Sequence, residues 1–159
     1  MQRLTRTDAT GAWRHVDPDA ALDLRRRVRR DRVERILARA VFLPPADRLL
    51  IEAYFRDGHT IKLLAQACDT DPRVLSRRIR RLSERLLSDR FAFVLRHQDT
   101  WSPSRRRVAC AMVLHGHSMR AAASLLRMSL YAVRRHAEAI DALYDSDQRQ
   151  ASARAVRSA

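Results

Sequence analysis

Two short basic stretches carry side chains suited to reading DNA bases: PRVLSRRIRR from Pro72 and LYAVRRHAE from Leu130. A guanidinium donates two parallel hydrogen bonds to guanine, and an apolar side chain such as Leu130 can contact a thymine methyl group. Helical spacing places one set of residues on the outer side of each stretch. The predicted base-contacting residues are Arg73, Ser76, Arg77 and Arg80 in the first stretch and Leu130, Tyr131, Arg134 and Arg135 in the second.

Further cationic side chains flank these two faces. Contacts to phosphate position a protein on a duplex but carry no sequence information. The predicted phosphate contacts are Arg78, Arg81, Arg105, Arg106, Arg120, His117 and His136. Glu138 lies on the second face, where a carboxylate accepts from cytosine or discourages wrong sites.

The two stretches belong to an internal repeat. An alignment without gaps that sets Ala65 on Ala123 also sets Gly58-His59 on Gly116-His117, Thr60 on Ser118 and Arg77 on Arg135. Each copy contains a leading helix, a glycine stop, a capped short helix, a tight turn and a longer basic helix. This order predicts two helix-turn-helix units.

Small and apolar residues are expected to position the longer helices. Ala65 and Ala123 would lie where each short helix crosses the next one, because a larger side chain would push the helices apart. Leu75 with Ile79, and Val133 with Ala137, are expected to anchor the longer helices in the core. Cys68 and Cys110 are expected to be small, reduced core residues on apolar helix sides.

The whole chain has the composition of a helical protein with a polyanionic partner. Its 159 residues carry a net charge of +14, and Lys62 is the only lysine beside the many arginines. Glycine and proline are scarce and no strand-like alternation is sustained, so the predicted fold class is all-α. No apolar run is long enough to span a membrane and no signal peptide is evident, which predicts a cytoplasmic protein without membrane contact.

Breaker residues divide the chain into segments. Asp17-Pro18 is a good helix start, Pro44-Pro45 opens the next helix, and Trp101-Ser102-Pro103 marks a boundary. The role of the arginine-rich stretch at 25–35 stays open between a solvated packing helix and a phosphate-contacting one. We expect a flexible arm at 1–17, a basic helix at 18–41, a first helix-turn-helix unit with a helical extension at 42–100, a second unit at 101–146 and a disordered tail at 147–159.

Catalytic and metal-binding patterns are weak in this sequence. No convincing paired carboxylates, nucleophile with a base, or glycine-rich phosphate loop is present, so we expect no enzyme activity and no cofactor. His115 and His117 lie near Cys110, but two histidines across a helix stop are more often a dipole partner and a phosphate contact than metal ligands.

Residues 43–87 resemble region four of bacterial sigma factors, which recognises the −35 promoter element. The matching residues are Leu43-Pro44, Arg48, Tyr54-Phe55, Gly58, Thr60, Ala65 and the run from Arg77 to Leu82. The resemblance implies that Arg73, Ser76 and Arg77 face bases, and that the protein docks on RNA polymerase. The chain departs from that family at Lys62-Leu63-Leu64 and at Asp69, where glycine is common. The residues before Leu43 are too few for the region that melts the −10 element.

These patterns predict a sequence-specific regulator of transcription that binds double-stranded DNA with two recognition helices. Two helices about 34 Å apart would reach successive major grooves, so one chain would read two half-sites. Two alternatives stay open: a sigma-like adaptor that mainly docks on RNA polymerase, and a DNA-recognition subunit of a phage packaging or transposition machine. The sequence leaves open the target site, the sign of regulation and the oligomeric state.

Overall fold

The computed structural model describes the backbone of residues 18–157 and the side chains of residues 26–157. Within this range the chain is all-helical and contains no strand, which confirms the predicted fold class. The α-helices are α1 (Pro18–Ala40), α2 (Pro45–Phe55), α3 (Ile61–Ala67), α4 (Pro72–Leu87), α5 (Asp89–His97), α6 (Pro103–Ala109), α7 (Met119–Leu126) and α8 (Leu130–Arg157). A 3₁₀ turn at Gln98–Thr100 follows α5, and a π-helical turn at Cys110–Leu114 continues α6. The predicted flexible arm at 1–17, with Trp13, lies outside the described residues.

Side-chain caps start α3, α4, α7 and α8, whereas α2 and α6 begin at prolines and have no side-chain cap. The Thr60 hydroxyl accepts a hydrogen bond from the backbone N–H of Leu63 at 3.3 Å. The Asp71 carboxylate accepts one from the backbone N–H of Arg73 at 2.7 Å. The Ser118 and Ser129 hydroxyls accept from Ala121 and Ala132 at 3.2 and 3.1 Å. These bonds satisfy amide groups that have no partner inside the helix, so each helix start is fixed by its own local sequence.

The predicted disordered tail at 147–159 is wrong for the residues that the structure describes there, because α8 continues to Arg157. No proline or glycine interrupts this part of the sequence, and alanine, glutamine and arginine favour a helix. Asp147 also lies 3.6 Å from Arg96 and 4.0 Å from His97 on α5. The C-terminal part of α8 is therefore a helical extension held partly by α5.

The predicted basic helix at 18–41 is confirmed as α1, which ends at Ala40. Helical spacing predicts a narrow apolar stripe on α1 that includes Leu24, Val28, Ile36 and Ala40. Ile36 and Ala40 are inaccessible, whereas Val28 is 55% exposed. The side chain of Leu24, also expected in the stripe, lies outside the described range. The chain divides into two compact units within α1: the first ends at Glu34, and the second, larger unit begins at Arg35. Within that unit, the Arg39 guanidinium in the last turn of α1 donates to the Leu86 carbonyl at 2.6 Å.

The predicted segments 42–100 and 101–146 share a single hydrophobic core. Leu75 and Leu86 of α4 belong to the same cluster of buried side chains as Val133 and Ile140 of α8. Helix α5 contacts both α4 and the π-helical turn after α6. The Phe93 ring on α5 lies 5.8 Å from Trp101 and 5.4 Å from Tyr144, centroid to centroid. From Arg35 onward, the described residues are thus one compact unit.

Two expectations about core residues need correction. Cys68 was expected in the core but is exposed. The helix α3 ends at Ala67, so Cys68 is the residue that caps the helix and does not continue its buried side. Cys110 is half-buried, and both thiols are free. On α2, helical spacing predicts an apolar side with Leu49, Leu50, Ala53 and Tyr54, but Leu49 is 67% exposed and Ile51 is fully buried.

Candidate nucleic-acid interface

Two helix pairs have the same backbone hydrogen bonds at equivalent positions of the repeat. The first helix pair is α3 with α4, and the second helix pair is α7 with α8. Before each pair, the backbone N–H of a histidine donates to the backbone carbonyl of an alanine in the preceding helical segment. His59 donates to Ala53 at 3.0 Å, and His117 donates to Ala111 at 2.9 Å. The glycine before each histidine is left-handed, with φ of 71° at Gly58 and 76° at Gly116. Both chain reversals therefore use a conformation that favours glycine.

The turn inside each pair is also repeated. Thr70 donates from its backbone to Ala65 at 3.0 Å, and Met128 donates to Ala123 at 3.0 Å. Asp69 and Arg127 occupy the same place in the two turns and are both left-handed, with φ of 47° and 53°. Both turns therefore hold a residue with a side chain in a conformation that glycine adopts most easily, since glycine has no Cβ to oppose a left-handed backbone.

Buried anchors fix the longer helix of each pair. Leu75 and Ile79 on α4 are buried, as are Val133 and Ala137 on α8, which confirms the four predicted anchors. Ala65, which was expected at the crossing of the first pair, is buried. In the second pair Ala123 is half-buried and the preceding Ala122 is fully buried. With one side of each helix fixed inward, the opposite side faces solvent.

The structure exposes every side chain that was predicted to contact bases. An open depression at the start of α4 is lined by Pro72, Arg73, Ser76 and Arg77, so three of the predicted residues lie together. The exposed residues are Arg73, Ser76, Arg77 and Arg80 on α4 and Leu130, Tyr131, Arg134 and Arg135 on α8.

The predicted phosphate contacts fall into different environments. Two of them already have carboxylate partners: Arg78 donates to Asp47 at 2.6 and 3.1 Å, and Arg106 lies 3.0 Å from Asp99. Arg81 and Arg120 are exposed. The half-buried members are Arg105, His117 and His136.

Several arginines outside the predicted faces are paired with carboxylates, whereas most arginines of the two faces are not. Arg90 and Arg96 on α5 pair with Asp141 and Asp147 of α8. Arg48 on α2 and Arg56 just after it both pair with Glu52. By contrast, four arginines of the two faces form no ion pair with any other described residue. These four are Arg73, Arg77, Arg134 and Arg135.

Unneutralised guanidinium groups on these two surfaces favour an anionic partner, because a solvated cation gains most from a ligand that supplies the missing charge. Among the described residues, the one hydrogen bond of the Arg77 side chain runs from its Nε to the Arg73 carbonyl of its own helix at 3.3 Å. Arg80 is a weaker candidate, since it lies 3.7 Å from Glu84.

Sequence reasoning missed Arg127, which is exposed in the turn between α7 and α8 and forms no ion pair within the described residues. Its left-handed conformation places it where the first pair has Asp69. The aligned repeat could have identified Arg127, because it sets this residue on Asp69 in the turn of the first pair.

The partly buried guanidinium of Arg85 lies between Asp47 of α2 and Gly116, the glycine before α7. Arg85 on α4 lies so close to Gly116 that a Cβ there would be 1.6 Å from its Nη1 atom, and its Nη2 atom is 3.8 Å from an Asp47 oxygen. Burial lowers the pKa of Arg85, while Asp47 opposes that shift. Burial also lowers the pKa of His115, and the positive charges of His117 and Arg85 lower it further. This junction belongs to the scaffold that holds the two faces.

The described residues contain no group of three or more histidine, cysteine or acidic side chains arranged to hold a metal ion. The rings of His115 and His117 are 6.0 Å apart, and burial raises the pKa of the Cys110 thiol, whose Sγ lies 3.4 Å from the Gln98 amide oxygen. Across residues 18–157, no helix combines the length and the apolar character needed to span a membrane.

A scan against protein-family models, a search of the curated proteins and a search of the solved structures each found no match to this chain.

Proposed function

We propose that the chain is a sequence-specific regulator of transcription that binds double-stranded DNA through two tandem helix-turn-helix units. In this proposal α4 and α8 are the recognition helices and enter the major groove. The observation that carries the proposal is the repeated pair geometry, in which the same turn twice presents an exposed helix with arginines that lack carboxylate partners among the described residues. The net charge of +14 supports the same partner class.

The division of arginines gives each surface a role in the proposal. Arg73 and Arg77 on α4 and Arg134 and Arg135 on α8 are the base-contacting residues, because they are exposed and not neutralised by a described residue. Arg81 and Arg120 are the phosphate contacts that the geometry favours most. Arg78 and Arg106 become weaker candidates, since contact with phosphate would compete with Asp47 and Asp99.

Selection of genomic fragments by the purified protein tests the proposal. At about 150 mM salt, nonspecific phosphate binding is weakened, so fragments recovered at that concentration report base recognition. We expect a recovered motif with two half-sites. Indiscriminate recovery would contradict the proposal, and copurification with RNA polymerase would then test the adaptor alternative.

Variants of the two faces sharpen this test. Arg77→Ala and Arg135→Ala should each relax the preference at one half-site, by about 1–3 kcal/mol if the lost contact is bidentate to guanine. Arg149→Ala is a matched control, because Arg149 is an exposed arginine of α8 that, like Arg77, donates to a carbonyl one turn back in its own helix. The control should keep the full site preference, and helical content measured by circular dichroism should be unchanged in all three variants.

A further inference from the structure

The two proposed recognition faces differ in chemistry although their backbones match. The aligned repeat sets Tyr131 on Arg73 and Glu138 on Arg80. The first face therefore carries three arginines, at 73, 77 and 80. The second face carries two arginines, at 134 and 135, and one glutamate, so it is the less positive of the two.

Two apolar side chains project at the start of α8, where the first pair has Pro72 and Arg73. Tyr131 is 74% exposed and Leu130 is 43% exposed. The Ser129 cap immediately before them fixes the first turn of the helix. Residues at the N-terminal end of a recognition helix are those that contact base edges, so Leu130 and Tyr131 occupy the reading position of the second face.

Cationic side chains accompany this apolar pair. Arg134 and Arg135 follow one turn later on the same side of α8, and Arg127 lies in the turn just before it. None of these three arginines pairs with a carboxylate among the described residues. A surface of this kind fits a partner that presents apolar groups between anionic ones. In a DNA major groove, the C5-methyl group of thymine is the apolar group, while the acceptor atoms of neighbouring base edges and the flanking phosphates are the electronegative groups that arginines contact.

We propose that the two half-sites differ: the first helix pair reads guanine through arginine, and the second reads thymine methyl groups through Leu130 and Tyr131. This inference rests on the proposed function and names the specificity-determining residues of its second half. The target is then an asymmetric, directional site rather than a palindrome, because the two faces present different chemistry to the bases.

Replacement of thymidine by deoxyuridine tests the inference, because it removes the methyl group and keeps the base pair. The probe is a duplex carrying the motif recovered from the genomic fragments, with uracil placed in one half-site at a time. The relaxed preferences of Arg77→Ala and Arg135→Ala identify which half-site each helix pair contacts. Burial of one methyl group corresponds to about a fourfold change in affinity. We expect this loss for each contacted thymine in the half-site of α8 and no loss in the half-site of α4.

Variants decide which side chains meet the methyl groups. Leu130→Ala and Tyr131→Ala should each bind the thymine site more weakly and should together lose the sensitivity to uracil. Leu49→Ala is the matched control, since it removes another exposed apolar side chain, on α2, and should keep the wild-type sensitivity. Both α8 variants should keep the guanine preference of the first half-site, which shows that they are folded and bound.

The outcomes separate this inference from the proposed function. A wild-type chain without any preferred site would contradict the proposed function and the inference together. A specific site whose second half contains no thymine, or whose affinity is insensitive to uracil, would overturn the inference alone. Self-association that is lost in Leu130→Ala and Tyr131→Ala while DNA affinity is unchanged would also overturn it, and would assign the apolar pair to a protein contact.

Discussion

At the scale of single residues, a left-handed backbone makes Arg127 unusual. Its φ of 53° brings Cβ close to the following carbonyl oxygen, which costs about 1–2 kcal/mol for a residue with a side chain. Asp69 has a φ of 47° in the equivalent turn, but aspartate tolerates this region better because its short side chain can form local hydrogen bonds. The second turn therefore holds strain that the first turn largely avoids.

Replacing Arg127 with glycine should stabilise the protein. We expect a gain of about 0.5–1 kcal/mol in the free energy of unfolding, because the relieved strain exceeds the extra backbone entropy that glycine loses on folding. Urea denaturation followed by circular dichroism measures the change. Arg149→Gly is the control, since the same substitution inside α8 should destabilise by about 1 kcal/mol. Equal losses in both variants would show that Arg127 is unstrained.

The pH dependence of stability should reveal His115. Burial and two neighbouring positive charges hold its pKa below the ordinary value, so the folded chain resists the proton that the unfolded chain accepts. As pH falls through about 6.5, the unfolded state binds more protons and stability decreases. His115→Gln should flatten this decrease between about pH 7.5 and pH 5. Parallel curves of urea midpoint against pH for wild type and variant would contradict the assignment.

At the scale of elements, the two glycine stops share a conformation but differ in surroundings. An added Cβ would meet nothing within 4 Å at Gly58 but would overlap the Arg85 guanidinium at Gly116. Arg85 cannot move away freely, because its Nε and Nη2 atoms are buried and Asp47 lies beside it. Residues that align in the repeat thus have different packing roles.

Alanine at the two glycines should therefore have unequal effects. Gly58→Ala should destabilise by about 1–2 kcal/mol through the left-handed backbone alone. Gly116→Ala should lose roughly a further 1–3 kcal/mol, since the methyl group overpacks against Arg85. Chemical denaturation in the wild-type and Arg85→Ala backgrounds measures both terms. In the Arg85→Ala background the two alanine variants should become equal, and a persistent difference would refute the steric explanation.

At the scale of the whole molecule, Phe93 links the parts that the sequence suggested as separate units. Its ring is buried against Trp101 and near Tyr144, between α5 and α8. Buried residues of both helix pairs belong to the same core cluster. The two pairs are therefore expected to lose their structure together.

Unfolding should accordingly be a single cooperative transition. Phe93→Ala should lower the free energy of unfolding by about 3–5 kcal/mol, because it removes a buried ring and leaves a cavity. In a Trp13→Phe background, Trp101 fluorescence reports locally and circular dichroism reports on all helices. The two signals should give coincident urea transitions in the presence and absence of Phe93. A first transition seen only by circular dichroism, and larger than the helical signal of residues 18–34 can supply, would indicate that the pairs unfold independently.

The sequence by itself determined most helix starts, the side-chain caps of α3, α4, α7 and α8, and the repeated turn. Thr60, Asp71, Ser118 and Ser129 act on amides two or three residues away, and glycine stops depend on backbone sterics, so these features need no knowledge of distant packing. Helical spacing likewise identified the buried anchors and the exposed faces of α4 and α8.

Only the tertiary structure decided which arginines are neutralised and how the pairs are joined. Arg78 meets Asp47 across 31 positions, and Arg90 meets Asp141 from a different helix. Residue type and local spacing do not reveal such pairs, because they form when separate helices pack together. The same packing brought Asp147 of α8 beside α5 and placed both helix pairs on one core, while Arg73, Arg77, Arg134 and Arg135 have no carboxylate partner among the described residues.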